Sequence, residues 1–179
     1  MKMQHKCKVT VIDKKVYPEL QQKYIADPNA GACPFYKVGQ EFVFERYGNE
    51  DTFWTMGRGS QCAEAWDCIS RYIYTALQGG AIMRSWTNDD RIMIACCNDG
   101  TRPVIFKIER IDYKAVHFDK ELSSYERAPF VTKMVSVENV LDVIENDEGF
   151  IEIIVDRDLD DEIIKNIAAE FNLNVTKIE

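Results

Sequence analysis

The stretch Ala95-Cys96-Cys97-Asn98-Asp99-Gly100-Thr101-Arg102-Pro103-Val104 decides how the chain is read. It joins Arg91-Ile92-Met93-Ile94-Ala95-Cys96-Cys97 to Val104-Ile105-Phe106-Lys107-Ile108, two short apolar runs rich in β-branched residues. Asp-Gly between such runs predicts a hairpin, because a type I′ turn needs positive φ and Gly supplies it at no steric cost. The hairpin carries a cysteine pair at the end of its first strand. Adjacent strand residues face opposite sides. Cys96 shares parity with Ile92 and Ile94, so Cys97, nearer the turn, is the one expected to join a site.

On the N-terminal side, the spacing predicts one main helix from about Cys62 to Leu77. Ala65, Trp66, Ile69, Tyr72, Ile73, Ala76 and Leu77 recur every three or four residues and form one apolar face. Ser60 or Gln61 stands where an N-cap belongs, and Gly79-Gly80 ends the helix. Earlier still, Lys8 to Ile12 reads as a strand with Val9 and Val11 on one face, and Pro18 opens a helix over residues 19–25. A breaker-rich loop, Asp27 to Ala32, delivers Cys33-Pro34. Glu41 to Glu45 is a strand with Phe42 and Phe44 on one face.

On the C-terminal side the pattern weakens over Tyr113 to Ala128, which reads as a connection. Beyond Pro129 the reading is a strand over 130–135, a helix over 137–144 capped by Ser136, a strand over 150–155, a helix capped by Asp158 or Asp160, and a last strand over 173–178. Strand-helix-strand order implies right-handed crossovers and parallel strands. The expected fold is therefore α+β: an antiparallel or mixed sheet with one main helix in residues 1–118, then a small acidic βαβαβ unit in residues 119–179.

The 179 residues are 46% hydrophobic and 29% charged, the balance of a soluble globular protein. No apolar run approaches the roughly 18 residues of a membrane span, and Val9-Thr10-Val11-Ile12 is too short for a signal-peptide core. A cytoplasmic protein is expected. Residues 119–179 hold 16 acidic and 6 basic residues, so −10; the rest of the chain holds 14 and 16, so +2, summing to the net −8. This distribution speaks against nucleic acid and against a membrane surface, which want Lys and Arg. It leaves the acidic unit as the surface for a second copy of the chain or another protein.

Six cysteines in a reducing compartment are expected to be thiols, and Cys7 and Cys68 read as buried hydrophobes. Three stand where backbone chemistry singles them out. Cys33 precedes a proline, which stiffens its backbone; Cys62 lies in the first turn of the main helix, where free N–H groups and the dipole favour negative charge; Cys97 ends a strand. Converging thiolates with a fourth ligand or an open position would suit zinc or an iron–sulfur cluster. The chain holds no C-x-x-C, and cysteines this far apart can equally be scattered core residues. Asp99 is a general base beside the thiols or simply a turn residue, Arg102 an anion holder or a surface ion pair, Trp66 a pocket wall or core. Gly57-Arg58-Gly59-Ser60 before a helix lacks the Lys of a P-loop, and the acidic run 156–162 lacks the central Gly of an EF-hand.

Cys33-Pro34 with Gly39-Gln40-Glu41-Phe42, Cys62-Ala63-Glu64-Ala65-Trp66 and the run Ala95 to Arg110 together resemble a small, uncharacterised family of cysteine-containing prokaryotic proteins. The resemblance covers roughly the first two-thirds of the chain. It implies no activity; its cysteine positions fall here on Cys33, Cys62 and one of Cys96 and Cys97. Three functions of different class follow: a metal- or iron–sulfur-binding accessory protein using Cys33, Cys62 and Cys97; a thiol redox enzyme or sensor with Cys62 as nucleophile and Cys33 or Cys97 resolving it; or a non-catalytic interaction module with structural cysteines. Two histidines and no Ser-His-Asp set lean away from hydrolysis.

Overall fold

A computed structural model describes residues 3–47, 51–146 and 148–179. Its elements are β1 (Gln4–Lys14), α1 (Pro18–Tyr24), β2 (Glu41–Glu45), α2 (Met56–Gly59), α3 (Ala63–Leu77), β3 (Ile92–Cys96), β4 (Val104–Phe118), α4 (Ser124–Val135), β5 (Val140–Glu145), β6 (Ile151–Val155), α5 (Asp161–Glu170) and β7 (Val175–Ile178). The class is α+β and the sheet is antiparallel. The chain divides into two compact units, His5–Arg110 and Ile111–Glu179 with Met1–Gln4. The division falls inside β4, eight residues before the 118/119 boundary expected from composition (118 − 110).

In the unit His5–Arg110, β2 pairs with β1, and both β1 and β3 pair with β4. Strand alternation sends Cys7, Val9 and Val11 of β1 and Val104, Phe106 and Ile108 of β4 into the core, all fully buried. The stripe Ala65, Ile69, Ile73 and Ala76 of α3 closes over them, also fully buried. The Gly79 N–H bonds the Ala76 carbonyl, the Gly80 N–H bonds that of Thr75, and Gly79 takes φ +74°, so α3 ends in a Schellman turn. At its start, Cys62 is the N-cap, in place of the expected Ser60 or Gln61, and makes no side-chain cap bond.

Two local features depart from the sequence reading. The β3–β4 turn is not type I′. Cys96 pairs with Ile105, the loop runs from Cys97 to Pro103, and Gly100 does not take positive φ. Asp99 builds this turn through its side chain, accepting from the Thr101 and Arg102 N–H groups. The second is α2, which winds left-handed: Met56, Gly57, Arg58 and Gly59 have φ of 52°, 65°, 58° and 73°. Two of these are not glycine, so the turn is strained. The Thr55 hydroxyl accepts from the Arg58 N–H and helps to hold it.

The unit ending at Glu179 has the order β4-α4-β5-β6-α5-β7, a βαββαβ arrangement in place of the expected parallel βαβαβ. Its strands lie in the order β7-β4-β6-β5, all antiparallel, which is a split βαβ sheet. Two elements exchanged type. Residues 124–135 are helix because Ser123 and Glu126 form a capping box, and Lys120 pairs with Glu126. Pro129 is tolerated in that helix; the carbonyl it cannot serve belongs to Tyr125, a residue 91% exposed, where water can replace the bond. Residues 140–145 are strand because pairing with β6 overrides a helical spacing too short to decide by itself. Ser136 is therefore the C-cap of α4 and not an N-cap. Within residues 1–118 the longest described helix is α3, of 15 residues beside the 7 of α1; α4 of 12 and α5 of 10 belong to the other unit. Asp160 caps α5, as one of the two expected residues.

Candidate functional site

Cys33, Cys62 and Cys97 are placed by three different elements, and each placement has a local cause. Gln21, buried in α1, bonds both the N–H and the carbonyl of Gly31 through its side-chain amide at 3.0 Å, closing the loop that leads to Cys33. The Lys14 ammonium donates to the carbonyls of Cys33 (2.7 Å) and Tyr36 (2.8 Å), so the Cys33–Tyr36 segment is pinned onto β1. Cys62 is fixed by its own N–H, which donates to the Tyr36 hydroxyl at 2.9 Å. Cys97 leaves β3 with its N–H on the Val104 carbonyl, while its sulfur accepts the Val104 N–H at 3.4 Å. The next residue, Asn98, donates its N–H to the Glu64 carbonyl in the first turn of α3.

The group common to all three thiols is Tyr36. Its ring is 1% exposed and its hydroxyl donates to Gln61 Oε1 at 3.1 Å, itself buried. Burial pushes the Tyr36 hydroxyl up to about 12 against the bond from Cys62, and the charges of Cys62, Cys33 and Cys97 push the same way. Three thiols within electrostatic reach of one buried hydroxyl define the candidate site. All six cysteines are free. Among the described residues, no group of three or more His, Cys, Asp or Glu side chains is arranged to hold a metal ion.

Arg102 adds a cation. Its guanidinium bonds Asp99 Oδ2 at 2.9 Å, and this bond, with the charges of Asp99, Cys33 and Cys97, holds it protonated beyond its usual range. Burial pushes the Asp99 carboxyl up, but the bonds from Arg102 and Thr101 outweigh it and hold the group below its ordinary value. Asp99 is thus committed to the turn. Trp66 lies apart from this chemistry, stacked at 5.6 Å on Phe44 and 5.2 Å on Phe53 against the core. His117 packs on Phe150 at 5.2 Å, with Glu179 3.8 Å away.

Cys7 is fully buried, and burial pushes its thiol up, out of reach of ionisation. Cys68 differs. It donates to Asn98 Oδ1 at 2.8 Å, and Asn98 donates to Asp67 at 3.0 Å. Cys68, Cys96 and Cys97 also line a cleft of about 500 Å³ beside β3. Cys96, the last residue of β3, is exposed and not packed with Ile92 and Ile94, and Cys97 is half-buried. Sequence reasoning passed over Tyr36, Gln61 and Lys14; the one signal for Tyr36 was its place three residues after Cys33, in a segment stiffened by Pro34. No family model, curated protein or solved structure matches this chain.

Proposed function

We propose that the chain is a thiol redox protein in which Cys62 exchanges with a low-molecular-weight disulfide and Cys33 or Cys97 completes the exchange. The observation that supports this most is that Cys33, Cys62 and Cys97 pack against one core, with the Cys62 N–H bonded to the hydroxyl of Tyr36, three residues after Cys33. In the first step the Cys62 thiolate attacks one sulfur of the small disulfide. A mixed disulfide forms, and the departing thiolate takes up the proton that Cys62 gave. The second thiol then attacks the Cys62 sulfur and releases the other small thiol, again with its proton. Two protein thiols are oxidised to one disulfide, and one small disulfide is reduced to two thiols. Tyr36, bonded to the Cys62 N–H, orients the attacking residue, and Arg102 offers positive charge near the other two.

The setting belongs to the same reading: a reducing cytoplasm, with the acidic residues 119–179 turned to a second copy or a protein partner and not to nucleic acid. A second reading keeps the same three thiols as ligands of zinc or an iron–sulfur cluster, and draws on the same convergence from three elements. One experiment separates the two. The full chain, purified without oxygen, is analysed for bound metal and absorbance, then treated with oxidised glutathione and mapped by mass spectrometry. Redox exchange predicts a glutathione adduct on Cys62 that resolves to a Cys62–Cys33 or Cys62–Cys97 disulfide, and none of this in Cys62→Ser. Stoichiometric metal lost on any of the three Cys→Ser changes selects the second reading. Neither result leaves structural cysteines.

A further inference from the structure

We propose that a recess in the unit ending at Glu179 is a binding site for a single apolar α-amino acid. This rests on no cysteine and is independent of the thiol reading. The recess, of about 310 Å³, lies where β4 ends and the β5–β6 turn begins. Phe118, Leu122 and Phe150 form its apolar wall, and Glu121, Arg127 and Glu145 its charged groups.

The decisive atom is Arg127 Nε. It is buried and has no hydrogen-bond partner among the described residues, although the same guanidinium pairs through Nη2 with Glu145 at 3.2 Å. A buried donor on a charged group is costly to leave unmet, and in native structures it points to an acceptor not yet in place. A carboxylate is the acceptor that fits a guanidinium, since its two oxygens can take Nε and a neighbouring nitrogen together once the Arg127 side chain, 30% exposed, turns its Nε edge to the recess. A simple carboxylate does not match the charge. One arginine against two glutamates gives the lining a net −1 (1 − 2), which repels an anion.

A ligand that brings its own ammonium resolves the conflict. Its carboxylate meets Arg127 and its ammonium meets Glu121 and Glu145, so each charge is paired locally and the ligand's carboxylate no longer faces the glutamates alone. The aromatic wall then receives an apolar side chain. The volume lies at the lower end for ligand sites, which suits one amino acid and not a peptide. The site is also held in place: the capping box and the Lys120–Glu126 pair fix the first turn of α4 just before Arg127, and Phe150 is braced by the His117 ring.

The test is calorimetric titration of the full chain with L-phenylalanine and L-leucine, beside 3-phenylpropionate, which lacks the amine, and phenethylamine, which lacks the carboxylate. Saturable binding of at least one amino acid is expected, with both phenylalanine fragments weaker by about tenfold or more, the worth of one charged hydrogen-bonded contact. Arg127→Lys keeps the charge but loses Nε, and should weaken the amino acid about tenfold or more. Should that variant fold poorly by circular dichroism, Glu121→Gln decides: it should weaken the amino acid and spare 3-phenylpropionate. No saturable heat up to millimolar ligand overturns the site, as does 3-phenylpropionate binding as tightly as phenylalanine. Unchanged affinity in the folded variants overturns it too.

Discussion

The two units bury polar groups of different kinds. In His5–Arg110 the buried polar side chains are Gln21 and Gln61, neutral amides that tie loops to helices. In Ile111–Glu179 they are Asp112, Lys114, Glu152 and Asp161, all ionisable. All six cysteines belong to the first unit, and the excess of acid to the second. Neutral amides suit a thiol site: they tie the loops at Cys33 and Cys62 without burying a full charge, and the Lys14 ammonium that also pins Cys33 is only half-buried. A charged pair suits a unit that must seat a short helix on a sheet, because removing either partner is prohibitive. The comparison teaches that losing one buried partner should cost far more in the second unit than in the first.

The largest effect is expected at Lys114. Its ammonium is 2.7 Å from Asp161 and 3.1 Å from Asp158, with side-chain exposures of 5% for Lys114 and 10% for Asp161. Lys114→Met leaves Asp161 charged and buried, a loss of about 3–5 kcal/mol. Adding Asp161→Leu should recover most of it. Burial works against the Lys114 charge, but hydrogen bonds to Asp161 and Asp158 outweigh it and raise the group above 10.5. The contribution is therefore complete below pH 10.5 and lost as pH rises through the folded value. Urea unfolding of the single and double variants checks this; a loss under about 1 kcal/mol would make the pair a solvent-screened one and dissolve the contrast.

Next comes Tyr36→Phe in the neutral network. The Cys62 N–H loses its acceptor and Gln61 Oε1 its donor, at a cost of about 1–3 kcal/mol. The same change frees Cys62 from its anchor, so the rate at which a chromogenic disulfide labels Cys62 should change while Cys7 stays unlabelled. Titration at alkaline pH supplies a second measure. A hydroxyl raised from 10.0 to about 12 makes the fold lose stability between those values as the unfolded chain gives up its proton first. A wild-type chain whose tyrosines all titrate near pH 10 without unfolding would remove Tyr36 from the centre of the site.

Two glycines give a smaller and sharper contrast within the first unit. At Gly79, φ is +74° and an added Cβ would stand 2.3 Å from His5 Nε2. Gly79→Ala should cost about 1–3 kcal/mol through backbone strain and displacement of the imidazole. At Gly100 nothing lies within 4 Å of an added Cβ and φ is not positive, so Gly100→Ala should be neutral or stabilise by up to about 1 kcal/mol. Equal losses at both would restore a type I′ turn at the hairpin.

That pair of glycines shows what was legible in the sequence. Periodicity found β1, β2, β3, α3 and the inward stripe of α3, because each buries one face against a single core. Parity put Cys96 with Ile92 and Ile94, yet Cys96 and Ile94 are exposed and Cys96 shares a cleft with Cys97. The turn failed because Asp99 can shape it through a side-chain bond, which removes the need for positive φ at Gly100. The tail failed where a local signal met a longer-range one. Pro129 suggested a strand start where the Ser123–Glu126 capping box begins a helix, and the spacing Val137, Val140, Leu141, Ile144 concealed a strand made by pairing with β6. Tyr36 was not legible because its hydroxyl's partners, Gln61 and Cys62, lie 25 and 26 positions away in the chain.

The smallest effect is expected at Asp99, and it tests whether the first unit is as free of essential charge as the comparison holds. The Asp99 and Arg102 side chains are 32% and 33% exposed, so their ion pair should be worth no more than about 1 kcal/mol. The turn-forming bonds from the Thr101 and Arg102 N–H groups need only an acceptor oxygen, and Asn supplies one. Asp99→Asn should therefore keep the turn and lose only the charge. Because the carboxyl is held below 3.8, its contribution is present above that value and disappears as pH falls through the lower, folded one. The stability difference between wild type and Asp99→Asn should thus be small at pH 7 and vanish in acid, whereas Asp99→Ala, which removes the acceptor as well, keeps a deficit at every pH. If Asp99→Asn alone costs more than about 2 kcal/mol at pH 7, beyond the range of exposed pairs, then the Asp99–Arg102 pair is part of the framework that holds Cys97, and the charge-free account of the thiol unit fails at the hairpin.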